Sequence, residues 1–159
     1  DNLIVDFRNN TGGFLSAAID ISSWFLPEGE TVVIERGREE KYNKEYTSGG
    51  HFLSGEYEMA ILVNGGSASA SEIVAGALQE HGRAKLVGTQ TYGKGSVQEL
   101  IKMKDDTALK LTVAEWLTPG GLSISKEGLT PDVVIELDAD KLEKNGIDTQ
   151  LEEAIKILK

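Results

Sequence analysis

Apolar residues gather in short blocks along this chain, and the spacing within each block predicts its element. Leu3 to Asp6 is a short apolar run suited to a buried strand, and NNTGG then breaks it. From Phe14, positions Leu15, Ala18, Ile19, Ser22, Phe25 and Leu26 follow helical spacing until Pro27 and Gly29. TVVIE (31–35) and KYNKEYT (41–47) predict two strands, the second polar at alternate positions, and MAILVN (59–64) a further buried one. After GGSASASE, residues Ile73, Val74, Ala77 and Leu78 form one apolar helix face, with Gly82 placed to end the helix in a left-handed cap. AKLVG (84–88) reads as a strand. SVQELIKM and ALKLTVAEWL favour period two and are expected to pair across the KDDT turn. DVVIEL (132–137) is the last predicted strand. Asp148 or Thr149 then caps a helix with Leu151, Ala154, Ile155 and Leu158 on one side. Strands alternating with helices predict an α/β layered domain.

Composition narrows what such a domain does. A chain of 159 residues builds one core, and two independent domains are not expected. The formal net charge of −10 and a pI near 4.7 argue against nucleic acid or anionic membranes as electrostatic partners. With no cysteine, disulfides, thiolate metal sites and cysteine nucleophiles are excluded. No apolar run reaches the ~18 residues of a membrane span, and no signal peptide is present. The opening DNLIVDFRNN is a strand without an initiator methionine, so the chain reads as part of a longer protein.

Two stretches carry candidate chemistry. Gly88 to Lys94 in VGTQTYGKGS matches most of a phosphate-binding loop, G-x-x-x-x-G-K. The hydroxyl that should follow the lysine is replaced by Gly95, however, and SVQELIKM reads as a strand where the loop needs a helix. The second stretch, NGGSASASE (64–72), feeds a strand into a helix through small residues. A serine there lies beside helix N-terminal N–H groups that favour an oxyanion, although serines at such junctions also serve as helix caps. Of the two histidines, His51 sits in a glycine-rich connection, and His81 lies about three turns beyond the start of its helix. His81 is therefore badly placed as a base for that serine. A lysine can replace histidine if burial among apolar groups lowers its pKa from about 10.4 towards 7. Lys94, between Gly93 and Gly95 and close to Tyr92, is expected to be held in this way.

The run LIVDFRNNTGG … ILVNGGSASASEIVAGALQEHGRAKLVGTQTYGKGSVQ … ALKLTVAEWLTPGGLSISKEGLTPDVVIEL closely resembles the carboxy-terminal processing peptidases, also called tail-specific proteases. The family uses a serine–lysine pair 25 residues apart, and Ser69 stands 25 residues before Lys94. The resemblance makes Gln98, four residues after the lysine, its orienting partner. It assigns the oxyanion hole to the N–H of Ala70 and to that of Gly12 or Gly13. Glu72, Glu80 and Thr91 match positions that support activity by positioning the pair. Glu72 reads equally well as a helix N-terminal acid, and Asp132 as a structural turn residue. Thr11 replaces the usual proline of RNNPGG, and Gly120 and Leu122 replace the serine and arginine of TPSGRSI.

The fold implied is a crotonase/Clp-protease-like layered domain of repeated β-β-α units, here residues 1–159 of a catalytic core without its N-terminal region and PDZ domain. The implied function is a serine endopeptidase that cleaves proteins near their C-terminus through an acyl-enzyme, with no cofactor and no metal. Its partners are proteins or peptides with accessible C-termini, with no nucleic acid and no membrane insertion by this part. Self-association as a homo-oligomer stays open. The implied location is extracytoplasmic, on the bacterial cell-envelope side or in the thylakoid lumen, any membrane anchor belonging to the N-terminal part. Two other classes compete: a catalytically idle binding or assembly piece, and a crotonase-like acyl-coenzyme A enzyme, for which no basic cluster is evident.

Overall fold

The computed structural model describes residues 2–51, 53, 57–103 and 107–159. Two four-stranded sheets frame the molecule. In the first, β1 (Asn2–Asp6), β4 (Glu58–Val63), β5 (Lys85–Gly88) and β8 (Val133–Val134) run parallel in the order β1-β4-β5-β8. The second is antiparallel, with β3 (Lys44–Thr47), β2 (Thr31–Gly37), β7 (Ala108–Leu117) and β6 (Ser96–Lys102) in the order β3-β2-β7-β6. The α/β layering expected from the sequence is present.

Strand β4 explains why the middle of the chain is so continuously apolar. Met59, Ile61 and Val63 point into the main core with Val32, Val33, Ile73 and Leu86. Ala60 and Leu62 point the other way, into a second cluster with Val87, Ala154 and Leu158. A parallel strand covered on both faces needs apolar residues at every position. The second face is covered by α4 (Thr149–Ile157), where Asp148 is the cap, its carboxylate accepting from the N–H groups of Gln150 and Leu151.

The helix α2 (Ala70–Glu80) differs from the one-faced helix of the sequence reading. Ala70 to Leu78 are all buried, because α2 packs against α1 (Leu15–Ser23), β2 and β5 at once. Ala, Gly and Ser at its remaining positions make such close packing feasible on every side. Gly82 does adopt a left-handed φ, of 65°, just past the helix end.

Three expectations about elements need correction. The strand placed at 41–47 begins only at Lys44, and Glu40–Tyr42 form a 3₁₀ turn. There Tyr42 N–H bonds to Glu39, and the Asn43 side chain accepts from Gly37 N–H, so the chain folds back before pairing. The strand placed at 132–137 shrinks to Val133–Val134. Asp132 is taken by Leu86 N–H and the Gln79 amide, and the Ile135 carbonyl by the Gln150 side chain. An additional helix, α3 (Ala139–Asn145), was not expected, for it has no buried residue. Its ends make it: Asp138 caps one, and Gly146 at φ 68° closes the other. SVQELIKM and ALKLTVAEWL do pair antiparallel, while Lys104, Asp105 and Asp106 of their turn lie outside the described residues.

Arg8 ties α4 to the front of the molecule. Its guanidinium pairs with Asp6 at 2.7 Å and Asp148 at 2.8 Å and donates to Gln150 Oε1 at 3.1 Å. Burial alone would raise the Asp6 pKa, but hydrogen bonds and charge from Arg8 outweigh it and hold the carboxyl below its usual range. Replacing Arg8 by methionine should cost about 2 kcal/mol, the scale of one hydrogen bond to a charged group. A depressed carboxyl pKa contributes stability above its unfolded value and loses it as pH falls through the folded one. The gap in urea midpoint between wild type and Arg8→Met should therefore be full at neutral pH and narrow below about pH 4.

Candidate active site

Three parallel strands end side by side, and each delivers one candidate segment. The turn with Gly12 and Gly13 follows β1, Ser69 follows β4, and Lys94 follows β5. In open parallel sheets the carboxyl ends of strands are where ligands are met. The turn after β1 is pinned by asparagines that the sequence reading did not single out. Asn10 Oδ1 accepts from Gly12 N–H at 2.9 Å, and the Asn10 carbonyl accepts from Ala68 N–H at 3.0 Å. The Asn9 and Asn64 side chains bond to each other. The signal was present as N-x-G spacing, since asparagine commonly bonds a backbone group two residues on.

Gly12 presses directly on the serine segment. It holds φ 86°, and a Cβ there would lie 2.5 Å from the Ala68 carbonyl and 2.7 Å from Ala70 N. At Gly13 an added Cβ would meet nothing within 4 Å. The Gly13 and Ala70 N–H groups make no hydrogen bond among the described residues. Gly13, Ser69, Ala70 and Gln98 line a single pocket of about 220 Å³, floored by Leu15, Ile73, Val97 and Trp116.

Ser69 occupies the N-cap of α2 with φ 56° and ψ −119°. A non-glycine residue in such a conformation costs on the order of 1–3 kcal/mol and persists only where its surroundings hold it. What holds it is Glu72. The Glu72 side chain is wholly buried, and its carboxylate accepts four hydrogen bonds. Oε2 takes Ser69 N–H at 2.8 Å and Lys94 N–H at 3.0 Å, while Oε1 takes Thr91 Oγ1–H at 2.5 Å and Gly93 N–H at 2.7 Å. Ser67, also buried, is a turn residue, its hydroxyl donating to the Phe7 carbonyl.

This geometry settles how the glycine–lysine loop handles an anion. Its N–H groups do cradle a negative charge, but that charge is the protein's own Glu72 carboxylate. Strand β6 follows the loop, so no helix N-terminus faces a phosphate.

Other expected residues fall differently. The burial expected for Lys94 is not found: its side chain is exposed, and Nζ has no partner among the described residues. Glu72 fixes only its backbone, and Gly93 and Gly95 on either side supply no apolar cover. Gln98 is exposed too and makes no hydrogen bond to the lysine among the described residues, although it lines the Ser69 pocket where the β6–β7 register shifts between Val97 and Gln98. Thr91 reaches Ser69 only through Glu72, and its hydroxyl accepts from Leu129 N–H at 2.7 Å. Glu80 stands at the far end of α2, holding Thr118 Oγ1 at 2.6 Å and the Gly120 N–H. The residue at position 120 thus makes its polar contact through the backbone. His81 contacts the Thr31 carbonyl at 2.7 Å, and His51 packs on Trp24. Among the described residues, no cluster of His, Asp or Glu could hold a metal ion.

Comparison with known proteins identifies the family of the chain. The family described as Peptidase family S41 matches residues 1–135. A carboxy-terminal-processing protease of Bartonella bacilliformis is 48% identical over 133 residues, 84% of this chain and 30% of that protein. Carboxyl-terminal-processing peptidase 3, chloroplastic, of Arabidopsis thaliana is 40% identical over 157 residues, 95% of this chain and 30% of the relative. Among solved structures, the photosystem II D1 C-terminal processing protease aligns with a TM-score of 0.78 and 31% identity, covering 99% of this chain and 38% of its own. The chain thus spans about 30% of the length of these two curated relatives. Matched over most of its length by the family and at high identity by these relatives, the chain belongs to peptidase family S41.

Proposed function

We propose that this chain carries the catalytic core of a serine peptidase that cleaves proteins near their C-terminus, with Ser69 as nucleophile and Lys94 as general base. The observation that carries the reading is the strained Ser69 at the mouth of α2, beside the unspent N–H groups of Ala70 and Gly13. Gly12 has already given its N–H to Asn10, which favours Gly13 as the second oxyanion donor. Lys94 in its neutral form takes the Ser69 proton as the hydroxyl oxygen attacks a peptide carbonyl. The resulting oxyanion is held by Ala70 and Gly13 N–H. The protonated lysine then hands its proton to the leaving amine, and water releases the acyl group by the reverse roles. No metal or cofactor enters this sequence.

Glu72 and Thr91 position these groups without touching substrate. The exposed Lys94 corresponds to a resting arrangement, in which the backbone is pinned to Glu72 and the flexible side chain turns toward Ser69 when substrate excludes water. Gln98, on the wall of the same pocket, is then within the lysine's new surroundings. Glu80 acts at a distance, by fixing the 118–122 turn against α2. Residues 1–159 are read as one catalytic unit, with a PDZ domain and an N-terminal region belonging to the longer protein. Its substrates are chains with accessible C-termini, met outside the cytoplasm. No helix among the described residues is long and apolar enough to cross a membrane.

A fluorophosphonate probe should label the wild-type chain at Ser69, and Ser69→Ala should not be labelled. Cleavage of a quenched peptide by Lys94→Ala should fall roughly 100-fold or more, the usual share of a general base. Labelling that survives in Ser69→Ala, or is missing from wild type, overturns the nucleophile assignment.

Glu72→Gln keeps the side chain's size but turns an NH₂ group toward backbone donors. Its melting temperature should drop by several degrees and its labelling rate by at least roughly tenfold, since hydrogen bonds to a charged acceptor contribute about 1.5–3 kcal/mol each.

The two glycines should separate cleanly. Gly12→Ala cannot be housed and should lose both stability and labelling. Gly13→Ala keeps its N–H and meets no atom, so near-normal labelling and melting are expected.

A further inference from the structure

An open cavity next to the Ser69 pocket has the opposite charge character to the molecule as a whole. It measures about 590 Å³ and includes Arg36, Arg38, Lys126 and Glu115 in its lining, with Gly93 and Ser96 on the side of the lysine segment. Ser96 also lines the Ser69 pocket, so the two spaces adjoin.

Three cations and one carboxylate leave this lining net positive in a chain of net charge −10. Glu115 is already satisfied. Arg36 pairs with it at 2.6 Å and Ser123 Oγ donates to it at 2.8 Å. The hydrogen bonds from Arg36 and Ser123, with smaller help from the charges of Arg36 and Lys126, hold its pKa below the ordinary range. Arg38 and Lys126 remain, and neither head group has a hydrogen-bond or ion-pair partner among the described residues. Lys126 is also conformationally fixed. Its φ is 76°, a left-handed value uncommon for lysine, and its N–H bonds to the Gly93 carbonyl at 3.0 Å.

We infer that this cavity is an anion subsite for the substrate, in which Arg38 and Lys126 receive a peptide carboxylate close to the scissile bond. The inference rests on the peptidase reading, because a peptide running out of the Ser69 pocket past Ser96 enters this cavity. Two donors without a hydrogen-bond or ion-pair partner in one lining suit a carboxylate: Arg38 offers a planar fork, and Lys126 a compact charge. The carboxylate comes either from an Asp or Glu side chain or from the substrate's own C-terminus. The substrate class is thereby narrowed to peptides with a negative charge near the cleavage point.

The test measures binding separately from turnover. Fluorescent peptides of one apolar sequence are titrated into the Ser69→Ala chain by anisotropy. They carry a free C-terminal carboxylate, a C-terminal amide, or an amide with one Asp or Asn scanned along the sequence. At low ionic strength, one carboxylate arm should bind roughly three- to tenfold tighter than its neutral counterpart, the scale of two exposed ion pairs. The arm that shows the gain identifies the source of the carboxylate. The gain should vanish in the double variant Arg38→Gln, Lys126→Asn and fade in about 0.5 M salt. Both positions are exposed, and asparagine tolerates the left-handed backbone. Equal binding of charged and neutral peptides, no binding of either, or a gain that survives the double variant overturns the subsite. Failure of the peptidase reading shows separately, as absent fluorophosphonate labelling of wild type.

Discussion

The buried carboxylate of Glu72 is the interaction on which the site's geometry depends. Taking a carboxylate out of water costs several kcal/mol even after relaxation. Here four donors offset that cost, each charge-assisted bond worth about 1.5–3 kcal/mol. Three of the four are backbone N–H groups from two different segments, those of Ser69, Gly93 and Lys94. A single anion thus sets both the backbone of the strained serine and the point where the lysine side chain departs. The strain at Ser69 and the stability of the Gly93–Lys94 turn are two sides of one arrangement.

The sheet makes that arrangement reachable. Neighbouring parallel strands bring the ends of β1, β4 and β5 together, although the residues they deliver lie far apart in sequence. Covering both faces of β4 is what keeps the three ends aligned, with α2 on one face and α4 on the other. Arg8 links the second covering to the Gly12–Gly13 turn through Asp148, so the back of the sheet is mechanically joined to its working end.

Much of this was legible in the sequence, for stated reasons. Strand β4 announces itself through a continuous apolar run that reports burial, whereas β7 leaves Leu109, Leu111 and Val113 exposed and the face read for α4 buries Ala154 and Leu158 but not Leu151 and Ile155. Helix α3 is invisible to the same reasoning, because it buries nothing and exists through its caps. Ser69 and Lys94 were singled out as the candidate pair through spacing and family resemblance. Which of Gly12 and Gly13 keeps an unengaged N–H was not legible. It turns on whether a single N–H is already engaged by Asn10, which only coordinates reveal. Glu72 looked equally like an ordinary helix-capping acid. It is indeed in the capping position, bonded to Ser69 N–H, and its other oxygen serves a turn some twenty residues on. Periodicity cannot show such a long-range contact.

The exposure of Lys94 is the most informative departure. Sequence reasoning placed it among apolar groups because its neighbours are glycines and buried strands. Glycines, however, bring no apolar surface, β5 turns its buried side chains into the core, and β6 on the other side of the lysine is itself exposed rather than buried. On the proposed Ser69–Lys94 reading, the chain would separate two tasks that a preformed pair combines. Placement is built in, through a backbone locked to Glu72. Removal of water from the amine has to come from whatever covers that surface, and the cavity beside Gly93 lies on the same segment. If the proposed subsite and base are right, an occupant held by Arg38 and Lys126 would press on the loop that carries Lys94, and recognising a substrate would also help to dry the proposed base.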